Sequence, residues 1–405
     1  MTSFDTSSQS TVWRALLALA VVFVMLATTG WTALRGQRGE TPLHASLSAW
    51  EHGRIDGRPL PDARSAPARL ARFFASLTEQ QRASLARRYP LTVGNMNGAP
   101  VELRYRANRV ALGQAREAER ERMRDGHLTP AGQQAAGRRM HRFEALMHGG
   151  RRILAFDPDG SGRVAEVFGD LRGAERISVV VPGVDTGLLT FQRTHRKYSA
   201  PVGMAESLYA AERTASPATR TAVIAWADYT APSGLGMDAA TAMRAEVGAG
   251  RLDALVRALP GDAPVSLFCH SYGSVVCGLA AHRLPGRVAD IAVAGSPGMR
   301  VEAASQLRTS AHVWAMRDAD DWVQDVPYLE VGGLGHGADP VSAGFGARVL
   351  SARGAEGHGG YFEPGTESLA NFAEIGVGAY DAVDCARDDG VCRAGLSGAA
   401  AAGRA

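Results

Sequence analysis

From Ile177 onward, short apolar runs alternate with helix-length stretches, and this alternation restricts the fold more than any other feature of the chain. The runs are Ile177 to Val181, Ala222 to Trp226, Val265 to Phe268, Ile291 to Ala294 and His312 to Met316. Helical stretches lie between them, notably Gly203 to Thr214, Met237 to Leu259 and Ser274 to His282. Strands that are apolar on both faces must be covered on both faces. That requirement gives a largely parallel sheet packed between helices. Just ahead, Arg152 to Phe156 and Arg163 to Phe168 flank the turn residues Asp157, Pro158, Asp159, Gly160 and Gly162. They read as a hairpin that adds antiparallel edge strands.

Upstream of the hairpin the pattern is helical. One helix is expected around Ala45 to His52 in a linker over 35–60. Residues 67–88 carry apolar positions at helical spacing, including Leu70, Phe73, Phe74, Leu77 and Leu85. Thr78 offers a helix start inside this stretch, and Pro90 is expected to end it. Gly94 to Pro100 reads as a loop, and helical signal resumes over Tyr105 to Arg124 and Gln133 to Met147. We therefore assign 61–150 to a helical N-terminal extension, a lid or a cover, 151–380 to the sheet domain and 381–405 to a tail. At the other end, residues 1–14 form a polar head with Arg14, and 15–34 hold no charge. Twenty helical residues span about 30 Å, one hydrocarbon thickness. The run reads as a transmembrane anchor or a signal peptide, which puts the remainder outside the cytoplasm, bound to the membrane if uncleaved.

Composition removes several classes. A hydrophobic fraction of 45% excludes a disordered chain, and a single long apolar run excludes a multi-span membrane protein. A net charge of +3 gives no reason to expect nucleic acid. Four cysteines cannot build a disulfide scaffold. Cys385 and Cys392 flank Asp388, Asp389 and Gly390 and suit a short disulfide loop, whereas Cys269 and Cys277 read as small buried residues. There is no zinc-like cluster, and no cofactor is expected.

The chemistry concentrates at Val265-Ser266-Leu267-Phe268-Cys269-His270-Ser271-Tyr272-Gly273-Ser274. A buried strand runs into a tight turn of small residues and then directly into a helix. That is the context in which a serine hydroxyl is lifted above a sheet edge as a nucleophile, with Cys269 standing where a first glycine is usual. A serine nucleophile needs a base and a group to orient the base, here in the order Ser, acid, His. Asp318, Asp320 and Asp321 follow the last long strand; Asp321 is favoured and Asp318 is the runner-up. His358, in Gly357-His358-Gly359-Gly360, is the favoured base and His336 the alternative, while elbow geometry turns His270 away. Oxyanion donors are expected from the backbone N–H of Tyr272 and of Val184, in the loop shaped by Gly183. Trp226, Asp228 and Tyr229, at a strand end, are candidates with Gly183 for the substrate cleft.

These same residues resemble an actinobacterial α/β-hydrolase family long catalogued as a domain of unknown function (number 1023). The matching segments are Asn95-Met96-Asn97-Gly98-Ala99-Pro100 with Arg104 and Asn108, Val181-Pro182-Gly183 and Trp226-Ala227-Asp228-Tyr229-Thr230-Ala231-Pro232. They continue with His270-Ser271-Tyr272-Gly273-Ser274, Ala294-Gly295-Ser296-Pro297-Gly298, His336-Gly337-Ala338-Asp339-Pro340, and Gly357-His358 with Tyr361-Phe362. The resemblance implies an α/β-hydrolase fold with a serine-hydrolase apparatus at Ser271 and His358, and it names no substrate. The expected function is hydrolysis of a carboxylic ester, small or from an envelope lipid. The alternatives are a non-catalytic envelope protein of the same fold and an acyltransferase using the same three residues.

Overall fold

Strands rich in Val, Ile and Ala come together here because neither of their faces tolerates water. The structure is a computed structural model that describes residues 41–386 and 391–396. The apolar run 15–34 and the turn expected at 388–390 lie outside the described residues. Among the described residues no helix is long and apolar enough to cross a membrane.

The main sheet has eight strands: β1 (Arg152–Asp157), β2 (Arg163–Gly169), β3 (Arg176–Val181), β4 (Thr221–Ala227), β5 (Val265–His270), β6 (Val288–Ala294), β7 (His312–Met316) and β8 (Arg348–Val349). Their spatial order is β8-β7-β6-β5-β3-β4-β2-β1. β1 pairs antiparallel with β2, and β2 antiparallel with β4; every other pairing is parallel. This mostly parallel sheet with an antiparallel hairpin at one edge is the α/β-hydrolase fold expected from the sequence. The strand β8 was not foreseen, because two residues are too few to carry a pattern.

Alternate side chains of each strand feed two cores. On one face Val179, Val181, Ile224, Trp226 and Leu267 pack against Ala245, Ala249, Leu252 and Val256 of α9 (Met243–Ala258) and Val275 and Val276 of α10 (Gly273–Ala280). On the other, Val180, Val223, Phe268 and Trp314 meet Val202, Ala205 and Leu208 of α7 (Pro201–Ala215) and Phe372 and Ile375 of α11 (Glu367–Val377). The expected helix over Met237 to Leu259 is two, with a short α8 (Met237–Ala240) ahead of α9.

The N-terminal helices are α1 (Pro42–Glu51), α2 (Pro67–Ala75), α3 (Glu79–Arg88), α4 (Pro90–Asn95), α5 (Val101–Arg124) and α6 (Pro130–Met147). Thr78 starts α3 through a capping box with Gln81. α3 ends at Arg88, just ahead of Pro90 as expected, and Pro90 in turn opens α4, where its missing N–H costs nothing. Trp50, Leu70, Phe74, Leu85, Tyr89 and Leu103 form a third core among these helices.

Two asparagines fix the same helices to the sheet. Asn95 donates from Nδ2 to the Phe156 carbonyl (2.7 Å) and accepts the Phe156 N–H at Oδ1 (3.0 Å). Asn108 donates to the Ile153 carbonyl (2.9 Å) and to that of Gly94 (3.1 Å). Side-chain amides thereby take the backbone groups that edge strand β1 would leave unpaired. Buried Arg104 joins them through the Gly94 carbonyl and Asn97 Oδ1. This region covers the sheet edge at β1, which three strands separate from β5.

Candidate active site

The turn after β5 forces Ser271 to φ +55°, a left-handed conformation that side chains other than glycine rarely adopt. The chain reverses there so tightly that α10 begins two residues later. A Cβ on Gly273 would run into the Val181 carbonyl oxygen, so only glycine permits the helix to approach β3. Cys269 and Cys277 were expected as separate buried residues. They are disulfide-bonded, with Cα atoms 6.5 Å apart. The correction has a plain geometric cause. Cys277 lies one helical turn beyond Gly273, on the helix side that faces the strand, and so returns to Cys269 across the elbow. Cys385 and Cys392 are bonded as expected, with Cα atoms 5.6 Å apart.

Three elements bring side chains to Ser271. Asp321, fully buried, follows β7; His358 rides on the Gly357–Gly359 turn. His358 donates from Nδ1 to the Asp321 carboxylate at 2.8 Å (Oδ1) and 3.0 Å (Oδ2). That tautomer leaves the Nε2 lone pair 2.9 Å from Ser271 Oγ. Burial pushes the Asp321 carboxyl up, but His358, the Tyr361 hydroxyl and the Val323 N–H outweigh it and hold it below the usual range. Asp318 serves the site differently. Its Oδ2 accepts the N–H of Gly357 (2.8 Å), anchoring the loop that carries His358. His336 is not near enough to Ser271 to bond it. Its Nε2 donates to the Ala239 carbonyl at 2.7 Å, and burial lowers its pKa.

The loop that carries Val184 adjoins the elbow that carries Tyr272. A Cβ on Gly183 would sit 2.6 Å from Ser271 Cβ and 3.1 Å from Tyr272 N, so the loop after β3 lies directly against the elbow. The Asp185 N–H, donating to the Pro232 carbonyl, and the Gly234 N–H, donating to Asp185 Oδ1, tie this loop to 231–234. Neither the Val184 nor the Tyr272 backbone N–H has an acceptor among the described residues.

Of the residues expected to line the cleft, Gly183 alone adjoins Ser271. Trp226 and Tyr229 are buried and stacked at 5.7 Å, and the Tyr229 hydroxyl donates to the Pro182 carbonyl (2.6 Å), bracing the loop after β3. Asp228 is held by Arg251 (2.6 Å) and Arg163 (3.5 Å). Strand-end position put these three near the site, but their side chains pack inward. The cleft itself, about 270 Å³, is walled by Val184, Leu235, Ala239, Ala240, Pro297, Trp322, Val323, Val326, Pro327, Gly335 and His336 around Ser271 and Tyr272. A larger groove of about 630 Å³, between α7 and α11, contains none of the chemistry.

Two supporting residues escaped sequence reasoning. Tyr361, buried, donates its hydroxyl to Asp321 Oδ2 (2.5 Å) and accepts the Asp318 N–H (3.0 Å). His270 does point away from Ser271, yet its Nε2 donates to the His358 carbonyl (2.6 Å), holding the base's own backbone. Burial, reinforced by the neighbouring His358, pushes the His270 pKa down to about 3. A histidine kept neutral when folded stabilises fully above its ordinary pKa of 6.5 and loses that contribution as pH falls towards 3. Unfolding free energy should therefore fall by as much as about 1.4 kcal/mol per pH unit below pH 6 from this group. His336 is lowered too and acts in the same direction. In denaturant titrations from pH 7 to 4.5, His270→Asn should show the shallower decline; an unchanged slope would refute the assignment.

Comparisons with known proteins agree with this architecture. Residues 157–331 match a family model described as alpha/beta hydrolase. The match contains Ser271 and Asp321; His358 lies beyond it. It is coarser than the family that the sequence resembles. Two uncharacterized proteins of Mycobacterium tuberculosis, from two strains, are each 28% identical over 385 residues, covering 80% of this chain. The chain spans 57% of the length of these relatives. Among solved structures, the 2,6-dihydroxy-pseudo-oxynicotine hydrolase is similar over 69% of this chain and 78% of its own, at 11% identity and a TM-score of 0.28. So slight a likeness carries no argument.

Proposed function

We propose that the protein is a serine hydrolase that cleaves carboxylic esters through an acyl-enzyme on Ser271. The observation that carries this reading is the position of His358, within 2.9 Å of Ser271 Oγ through one ring nitrogen and 2.8 Å of Asp321 through the other. Ser271 Oγ attacks the ester carbonyl carbon while His358 Nε2 takes its proton. The carbonyl oxygen gains the negative charge and is met by the N–H groups of Val184 and Tyr272. Collapse of the tetrahedral adduct breaks the bond to the alkoxy oxygen, and His358 returns the proton to the departing alcohol. Water then repeats the sequence on the acyl-enzyme, releasing the acid and restoring Ser271. Asp321 stays ionised, fixes the His358 tautomer and stabilises the imidazolium. No step calls for a cofactor.

We also infer an extracytoplasmic setting. Two disulfides among the described residues suit an oxidising compartment, and the uncharged run 15–34 suits an anchor or an export signal. The test of the chemistry is covalent labelling by a fluorophosphonate probe, with the adduct mapped by peptide mass spectrometry to Ser271, together with turnover of short acyl esters. A folded protein that neither labels nor turns over overturns the proposal.

A further inference from the structure

Granted the serine-hydrolase reading above, on which this rests, we infer that the cleft beside Ser271 selects esters of an uncharged, apolar acyl chain of about eight to ten carbons, the cleft holding about nine groups of water size. Three observations support it. No Asp, Glu, Lys or Arg lines the cleft, and His336, which does, donates from Nε2 to the Ala239 carbonyl and so offers only an acceptor at Nδ1; an anionic acyl group would lose its water without gaining a partner. The wall is aliphatic along Ala239, Ala240, Val323, Val326 and Pro327, beginning next to Val184 and Tyr272, whose N–H groups would fix the carbonyl. The size follows from a cleft of about 270 Å³ and the roughly 30 Å³ that a water molecule, close to a methylene in bulk, occupies.

The mouth of the cleft extends the same chemistry. Leu235 is 68% exposed, and the hairpin over 330–335, whose Gly335 lines the cleft, exposes Val331 (68%) and Leu334 (44%). This hairpin is held over α8 by the Thr241–Leu334 bridge and by the His336 bond to Ala239. A chain longer than the cleft therefore meets Leu235, Val331 and Leu334 beside the ion pair that Glu330 of the same hairpin makes with Arg300, and it gains little more because that surface is open to water.

The test is a series of p-nitrophenyl esters from acetate to palmitate, with the alcohol held constant. We expect kcat/KM to rise about threefold per methylene up to octanoate and to level off beyond decanoate. A hemisuccinate ester should fall at least a hundredfold below the butyrate. Ala240→Trp should cut the octanoate-to-acetate ratio at least tenfold, and Val326→Trp serves if that variant does not fold. A profile that peaks at acetate, a ratio unmoved by both variants, or a steeper dependence on alcohol length in a parallel series of alkyl acetates, in protein that the fluorophosphonate labels, overturns the inference and leaves the hydrolase reading standing. Absence of both labelling and turnover removes the two together.

Discussion

Ser271→Ala is expected to lower kcat on a short acyl ester by about 10⁴-fold or more, and adding His358→Ala should cost little beyond that. The reason is cooperative: His358 Nε2 has no proton to take once Ser271 Oγ, 2.9 Å away, is removed, and Ser271 Oγ has no base without His358. Residual rate in either variant would come from the oxyanion donors and from substrate positioning alone. Steady-state kinetics on the two single variants and the double variant check this directly. Multiplicative losses, or Ser271→Ala within tenfold of wild type, would refute the assignment. A companion measurement separates chemistry from folding. Ser271 sits at φ +55°, a conformation that costs a side chain about 1 kcal/mol. Ser271→Gly should therefore abolish turnover while raising the melting temperature, the pattern of a site strained for use.

Much of this site was legible because its parts are local. A buried strand, a small-residue turn and a helix at once adjoining can be read from Val265 to Ser274 without tertiary knowledge, and Gly273 could be assigned a close approach on the same grounds. Order along the chain then narrowed acid and base to short segments. What sequence could not decide was which way neighbouring side chains turn. Asp318 and Asp321 are three residues apart in one loop; one takes the Gly357 N–H and the other takes His358.

Contacts between distant segments were the least legible. His270 reaches the carbonyl of a residue 88 positions away, and Tyr361 reaches back 40 positions to Asp321. No periodicity encodes such meetings; they follow from how loops cross the sheet edge. Trp226, Asp228 and Tyr229 failed as cleft residues for the converse reason. Their place at a strand end was right, but the pleat and the ion pairs with Arg251 and Arg163 turn the side chains elsewhere. The Cys269–Cys277 bond joins residues only eight apart, yet seeing it needs the strand and helix placed antiparallel across the elbow.

Gly295→Ala should lower kcat by about 10² to 10³-fold with little change in KM, through residues it does not itself catalyse with. Gly295 follows β6 at φ +54°, and an added Cβ would sit 2.7 Å from Asp321 Oδ2, 3.1 Å from His358 Nδ1 and 3.1 Å from Tyr361 Cε2. All three neighbours are fixed: Asp321 is fully buried, Tyr361 is held at both ends of its hydroxyl, and His358 is tied by its carbonyl to His270. Something must move, and the softest contact is the one between carboxylate and imidazole. Once that bond lengthens, the tautomer that presents a lone pair to Ser271 is no longer enforced. Asp321→Asn provides the reference, since an amide that donates to Nδ1 favours the opposite tautomer and should cost about 10⁴ in kcat. If Gly295→Ala acts by displacing Asp321, combining it with Asp321→Asn adds almost nothing to the loss. Independent, multiplicative losses would mean that Gly295 serves the fold of the β6 turn and not the orientation of His358.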